Sequence, residues 1–335
     1  MSSTLTKIYP LKYTGNSLKV LDQRKLPAEE IYVECSTYNE VIQAIQNMLV
    51  RGAPAIGFAG AWACCLAVKA VDDKRDLLRI FHEIELARPT AVNLSKAIRR
   101  MEKCLIEKGA GSLENEAEAI YKEDIEMCNI MASHGLTVLP NKSEFTLLTH
   151  CNTGSLATAG IGTALGVIKF LVQQNKKVHV YATETRPYLQ GARLTAWELQ
   201  KCGIQVSVLP DSAVTYLMKT AKIDAVYVGA DRIVSNGDTA NKVGTYMIAL
   251  AAQREKVPFY VVAPSTSFDL NLQSGEEIEI EQRSSKELSE FNNKQICPSG
   301  IDFYNPAFDI TPSELISGYI TEKGVLNVSK FKYNF

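Results

Sequence analysis

The chain has 335 residues, 46% of them apolar and 22% charged, with a formal net charge of −1 at pH 7. That is the composition of a soluble globular protein with room for one large or two smaller domains. A balance so near zero provides no overall attraction to nucleic acid or an anionic membrane, which leaves only a local basic patch open.

Residues 11–34 read as a β-hairpin turned at Gly15-Asn16 and ended by Pro27. From Thr37 the pattern becomes helical, with Val41, Ile42, Ala44, Ile45 and Met48 on the 3.6-residue period. A breaker-rich loop, Arg51-Gly-Ala-Pro-Ala-Ile-Gly57, precedes a small-residue helix expected over 58–70. The apolar stretch 53–70 holds Pro54, two glycines and Lys69, and reads as too short and too broken to span a bilayer. Further helices are expected over 72–88, 93–108 with Asn93 as N-cap, and 113–134.

After His134-Gly135 short apolar strands alternate with helical segments. Strands are expected at 145–150, 178–182, 206–209, 225–229 and 259–263, with helices over 155–174, 190–201, 211–221 and 242–255. This alternation predicts an α/β fold: a Rossmann-like, doubly wound parallel sheet in the C-terminal domain, 137–335, behind a mainly helical N-terminal domain, 1–136, opened by the hairpin. The Glu-, Ser- and Asn-rich stretch 275–299 reads as a mobile, solvated loop.

The eight cysteines are scattered and form no C-x-x-C pair, which fits reduced thiols. The N-terminus lacks the apolar core of a signal peptide, so a cytoplasmic protein is expected, with the nucleus a further location in a eukaryote. The histidines, 82, 134, 150 and 179, have no metal-ligand spacing, and no metal is expected. Gly154, Gly160, Gly162 and Gly166 fail the dinucleotide spacing because position 165 is Leu.

In an open parallel sheet, ligands bind beyond the carboxyl ends of the strands. Cys151 follows one strand and precedes a helix expected near Ser155, where a helix N-terminus favours thiolate; its plainer reading is a small buried hydrophobe. His150 beside it should point to the opposite face, which argues against a Cys–His dyad. Asp231 closes the run Ala225–Ala230 and reads either as a general acid with a raised pKa or as a helix cap or partner of Arg232. Arg51, Arg88 and Asn241-Lys242 are candidates for phosphate at helix starts, or simply surface charges.

Taken together, Arg51-Gly-Ala-Pro-Ala-Ile-Gly, Arg88-Pro-Thr-Ala-Val-Asn-Leu, Thr149-His-Cys-Asn-Thr-Gly, Thr185-Arg-Pro-Tyr-Leu-Gln-Gly-Ala-Arg-Leu-Thr-Ala-Trp-Glu-Leu, Gly229-Ala-Asp-Arg-Ile and Ala240-Asn-Lys-Val-Gly-Thr resemble the 5-methylthioribose-1-phosphate isomerase family. The likeness runs in order from the hairpin to Asn305-Pro-Ala-Phe-Asp-Ile-Thr-Pro. It implies an aldose–ketose isomerase of methionine salvage, without cofactor or metal, acting on a sugar phosphate as a homodimer. It implies Asp231 as proton donor, Cys151 as the second catalytic group, and substrate contacts by Arg51, Gly52, Ala53, Arg88, Gln190, Asn241 and Lys242. Thr153, Ser155, Glu279 and Gln282 depart from the usual pattern, which blurs fine substrate preference. The same superfamily holds ribose-1,5-bisphosphate isomerase and non-catalytic regulatory subunits of translation initiation, the two rival readings.

Overall fold

The computed structural model describes residues 5–89, 91–291, 294–327 and 331. The predicted hairpin, β1 (Leu11–Tyr13) and β2 (Leu18–Leu21), gains a third antiparallel strand, β3 (Tyr32–Cys35), beyond Pro27. Thr37 then starts α1 (Tyr38–Gln46) with a reciprocal capping box to Glu40. A helical cluster follows: α2 (Ala53–Ala70), α3 (Lys74–Glu85), α4 (Val92–Lys108) and α5 (Leu113–Thr137).

Two expectations change here. The helix expected from residue 58 begins at Ala53, because a proline in the first turn costs no hydrogen bond. Helix α2 is therefore long and apolar enough to cross a membrane by length and composition. Its apolar surface is instead packed within the protein: Ala55 to Ala67 are all buried, and α2 packs against α1, α3, α4 and α5. The cap of α4 is Ala91 rather than Asn93.

Beyond α5 come β4 (Glu144–Thr149), α6 (Ala164–Gln173), β5 (Lys177–Thr183), α7 (Ala196–Lys201), β6 (Gln205–Leu209), α8 (Val214–Thr220) and β7 (Ala225–Val228). After them lie β8 (Arg232–Val234), β9 (Thr239–Lys242), α9 (Thr245–Glu255), β10 (Phe259–Val262), β11 (Phe268–Asp269), α10 (Lys286–Ser289), β12 (Glu290–Phe291), β13 (Lys294–Gln295), β14 (Phe308–Thr311), β15 (Gly318–Thr321) and β16 (Gly324–Leu326).

The main sheet runs β16-β15-β10-β7-β4-β5-β6, parallel throughout except for the antiparallel edge strand β16. Counting only the parallel strands in chain order, this is the 3-2-1-4-5-6 arrangement of a doubly wound fold. Two apolar cores cover its faces. One gathers Leu165, Ile168 and Leu199 with Cys128 and Met131 of α5; the other gathers Val214, Met218, Ile248 and Ala252 of α8 and α9. Both faces are covered, so β7 is wholly buried and continuously apolar. Helix α5, which ends at Thr137, contributes to both parts: its first turns, Leu113 and Ala117, belong to the helical core, and its later turns, Cys128 and Met131, pack on the sheet.

Order changes direction between β4 and β7, and a crevice opens at such a point. A second small sheet, β11-β8-β9-β14, stands over this end. It was not foreseen: the helix expected from Lys242 starts at Thr245, and Asn241 and Lys242 lie on β9. The helix expected from Ser155 begins only at Ala164, so residues 150–163 form a folded loop pinned by a bridge between Gly154 and Gly162.

Candidate active site

A cavity of ≈ 370 Å³ opens at the switch point. Arg51, Gly52, Ala53, Arg88, Cys151, Gln190, Asp231, Asn241 and Lys242, all named from sequence, line it. They come from six separate stretches of chain. The thiol sits on the loop leaving β4 and the carboxyl on the loop leaving β7, and these strands are hydrogen-bonded neighbours, with Thr149 opposite Tyr227. Of the segment after Arg88, Thr90 lies outside the described residues.

Cys151 is buried and has φ of 61°, the left-handed region that a side chain enters at a cost of roughly 1–3 kcal/mol. The neighbouring backbone holds it there. Its N–H donates to Thr185 Oγ1 at 2.9 Å, and its carbonyl accepts from the Thr195 hydroxyl at 2.5 Å. No helix starts here, so the helix-terminus argument for a thiolate does not apply. The cation beside the sulfur is Arg51, whose Nη1 is 3.9 Å from Sγ. Arg51 is itself buried, donating to the Asn152 carbonyl at 2.8 Å and to Asn152 Oδ1 at 2.5 Å.

His150 forms no dyad with Cys151. Both ring nitrogens are engaged elsewhere, Nε2 with the Val243 carbonyl at 2.9 Å and Nδ1 with the Thr183 hydroxyl at 2.6 Å. Burial pushes its pKa down to about 4, so the ring is neutral near pH 7, donating from Nε2 and accepting at Nδ1. It ties the thiol loop to the turn after Lys242.

Asp231 is neither a helix cap nor the partner of Arg232, which faces Asp269 at 3.6 Å. Its N–H donates to the Ala240 carbonyl at 2.9 Å, anchoring it to β9. Desolvation in the cavity raises its pKa above the ordinary carboxyl value, an effect that Lys242, Arg88 and Arg51 partly offset and Glu281 reinforces. Burial likewise lowers the pKa of Lys242, against the pull of Cys151 and Asp231. The Lys242 ammonium donates to the Ala307 carbonyl at 2.8 Å and lies over the Phe308 ring.

The start of α2 forms another wall. Gly52 has φ of 92°, and a Cβ there would meet the Ala157 Cβ at 2.5 Å, so only glycine lets this turn seat against the thiol loop. The helix has no side-chain N-cap, and Gly52, Ala53 and Pro54 all line the cavity. The Ala55 N–H is already taken by the Ala157 carbonyl at 3.1 Å, and what remains of the helix N-terminus, next to guanidinium groups, suits a phosphate. Gln190, 4% exposed, leaves Oε1 without a hydrogen-bond partner among the described residues, and Glu281 Oε2 is in the same condition although Arg88 Nη2 is 3.9 Å away.

Sequence reasoning missed Glu281, Arg283 and Glu287, which line the cavity from the stretch read as a solvated loop. Arg283 pairs with Glu287 at 2.5 Å and with Glu281 at 3.1 Å. Residues 292 and 293 of that stretch lie outside the described residues. The missed signal was the close run of opposite charges from Glu281 to Glu287. Among the described residues there is no cluster of three or more His, Cys, Asp or Glu side chains able to hold a metal ion.

Residues 49–328 match the Initiation factor 2 subunit family. A methylthioribose-1-phosphate isomerase from Thermotoga maritima is 50% identical over 96% of this chain and 95% of its own. The chain belongs to the methylthioribose-1-phosphate isomerase branch of that family. The crystal structure of 5-methylthioribose 1-phosphate isomerase from Pyrococcus horikoshii OT3 superposes on it with a TM-score of 0.91 at 40% identity, covering 100% of this chain and 96% of the other. A structure titled translation initiation factor eIF-2B, subunit delta, from A. fulgidus has a TM-score of 0.86 at 38% identity, covering 98% of each chain. Such isomerases and a protein so titled thus share one architecture, and fold alone does not separate their chemistries.

Proposed function

We infer that this chain converts 5-methylthioribose 1-phosphate to 5-methylthioribulose 1-phosphate, an aldose–ketose isomerisation in methionine salvage. The observation that carries the reading is the meeting of Cys151 and Asp231 in one cavity lined also by Arg51, Arg88 and Lys242.

An aldose 1-phosphate has its anomeric oxygen blocked and does not open spontaneously. Asp231, whose proton desolvation holds more tightly than an ordinary carboxyl's, donates that proton to the ring oxygen as the C1–O4 bond breaks. The C2 hydrogen then moves to C1, and the C2 hydroxyl returns its proton to the Asp231 carboxylate as the ketone forms. In a proton-transfer route, Cys151 thiolate takes the C2 proton and delivers it to C1 through an enolate-like intermediate. In a hydride route the hydrogen migrates directly and Cys151 steadies the charge that develops. Incorporation of solvent deuterium at C1 of the product distinguishes the first from the second.

Arg51, Arg88, Lys242 and the α2 terminus neutralise the phosphate dianion. Gln190 Oε1 and Glu281 Oε2 offer acceptors to the sugar hydroxyls, which would satisfy atoms otherwise left unpaired. Two rival substrates or roles are excluded by one assay. Purified protein turns over 5-methylthioribose 1-phosphate; turnover of ribose 1,5-bisphosphate instead, or of neither, overturns the reading. We also propose a cytoplasmic homodimer, and light scattering should return twice the 37.0 kDa chain mass.

A further inference from the structure

Beneath the cavity, outside its lining, lies a buried ion pair that the chemistry above does not use. Lys169 of α6 and Glu198 of α7 are 3% and 0% exposed at their side chains, with Nζ 2.5 Å from Oε1. Removing two charges from water costs several kcal/mol unless the remaining lone pairs are also satisfied. Here they are satisfied by the thiol loop. Glu198 Oε1 accepts from Ser155 N–H at 2.5 Å, and Oε2 accepts from Asn152 Nδ2 at 3.1 Å and Leu156 N–H at 3.4 Å. Lys169 adds a bond to Ser155 Oγ at 2.8 Å. The loop is wrapped so closely that a Cβ on Gly154 would meet Glu198 Oε1 at 1.9 Å.

We propose that Glu198 is a positioning residue: its carboxylate fixes which way the Asn152 amide faces, and so presents an acceptor, never a donor, to the Arg51 guanidinium beside Cys151. The reasoning follows from donors and acceptors. Ionised carboxylate oxygens only accept, and guanidinium nitrogens only donate. Asn152 lies between the two, with Nδ2 toward the charged Glu198 Oε2 at 3.1 Å and, as a longer and neutral second acceptor, Thr195 Oγ1 at 3.3 Å, and with Oδ1 toward Arg51 at 2.5 Å. The pull of Lys169 and of the Asn152 and Ser155 donors holds the Glu198 pKa below its usual value, despite the burial that acts to raise it. The side chain therefore stays an acceptor across neutral pH.

Glu198→Gln keeps the shape but introduces an NH2. With its carbonyl kept on Ser155 and Lys169, that NH2 confronts Asn152 Nδ2. Asn152 relieves the clash by flipping, which turns its own NH2 onto Arg51 and displaces the guanidinium from the phosphate side of the cavity. The inference rests on the assignment of Arg51 to phosphate in the function proposed above.

The test is a double-mutant cycle on the full chain, with Glu198→Gln, Asn152→Ala and the combined variant, using turnover of 5-methylthioribose 1-phosphate and calorimetric binding of inorganic phosphate. Each single variant is expected to raise KM and weaken phosphate binding by about tenfold or more while kcat falls less than about threefold, and the combined variant to be no worse than Asn152→Ala by more than about twofold, since coupled neighbours do not add. Circular dichroism reports whether each variant folds. If Glu198→Gln does not, Glu198→Gln/Lys169→Met removes both charges together and enters the cycle in its place. Multiplying effects in the combined variant, or an unchanged KM and phosphate affinity in Asn152→Ala, overturn the proposal. A wild-type chain inactive on the substrate overturns the function instead, while the phosphate measurements still report on Asn152 and Glu198.

Discussion

Asp231→Asn lowers kcat by about 10³-fold, within the ~10²–10⁴ range that a positioned acid supplies. The amide has nearly the same volume and can keep the same backbone bond to β9, since that bond uses the main-chain N–H. What it lacks is a transferable proton at the ring oxygen. KM should move little, because phosphate is held by other groups. The pH dependence gives an independent check. With its pKa raised, the acid form of Asp231 persists to higher pH than an ordinary carboxyl would allow, and activity falls as pH rises through that value. The limb assigned to Asp231 should vanish from the residual activity of the Asn variant. A variant turning over within tenfold of wild type removes Asp231 from the role of acid.

Cys151→Ala has an effect of similar size, about 10³-fold in kcat, if the thiolate relays the C2 proton. The backbone of this residue is held by Thr185 and Thr195 rather than by its side chain, so the loop should keep its shape. Alanine tolerates the left-handed conformation no better and no worse than cysteine, and thermal stability should change by less than about 1 kcal/mol. Cys151→Ser separates the two routes. A hydroxyl is a far poorer base than a thiolate, so proton relay fails almost as completely as with alanine. Direct hydride migration needs only local polarity and recovers much of the rate. Substantial turnover in both variants would remove the thiol from the mechanism altogether.

The sequence carried the frame of this molecule because its regular parts obey local rules. The 3.6-residue apolar period after Thr37 announces α1, and the apolar runs at β5, β7 and β10 announce buried parallel strands. The central pair was legible for a related reason: Cys151 and Asp231 lie just beyond the carboxyl ends of parallel strands, where the fold class already places ligands. What escaped was set by contacts distant in sequence. Residues 155–163 are small and look helical, yet Glu198, Asp124 and the Gly154–Gly162 bridge compete for their backbone groups and delay the helix to Ala164. The strands β8 and β9, three and four residues long, are too short to display a period. Arg283 was hidden by its surroundings, a run of charges that reads as solvated until the fold turns it inward.

The adjacency of β4 and β7 also determines how the reactive pair is gauged. Their loops leave strands whose spacing is set by backbone hydrogen bonds at about 4.8 Å, a length no side chain can alter. The chain between them, which separates the two by eighty positions (231 − 151), travels out to the sheet edge at β6 and back without entering that measurement. The sheet thus acts as a fixed ruler, and residues inserted at the far edge could lengthen the excursion between thiol and carboxyl while leaving their separation as it is.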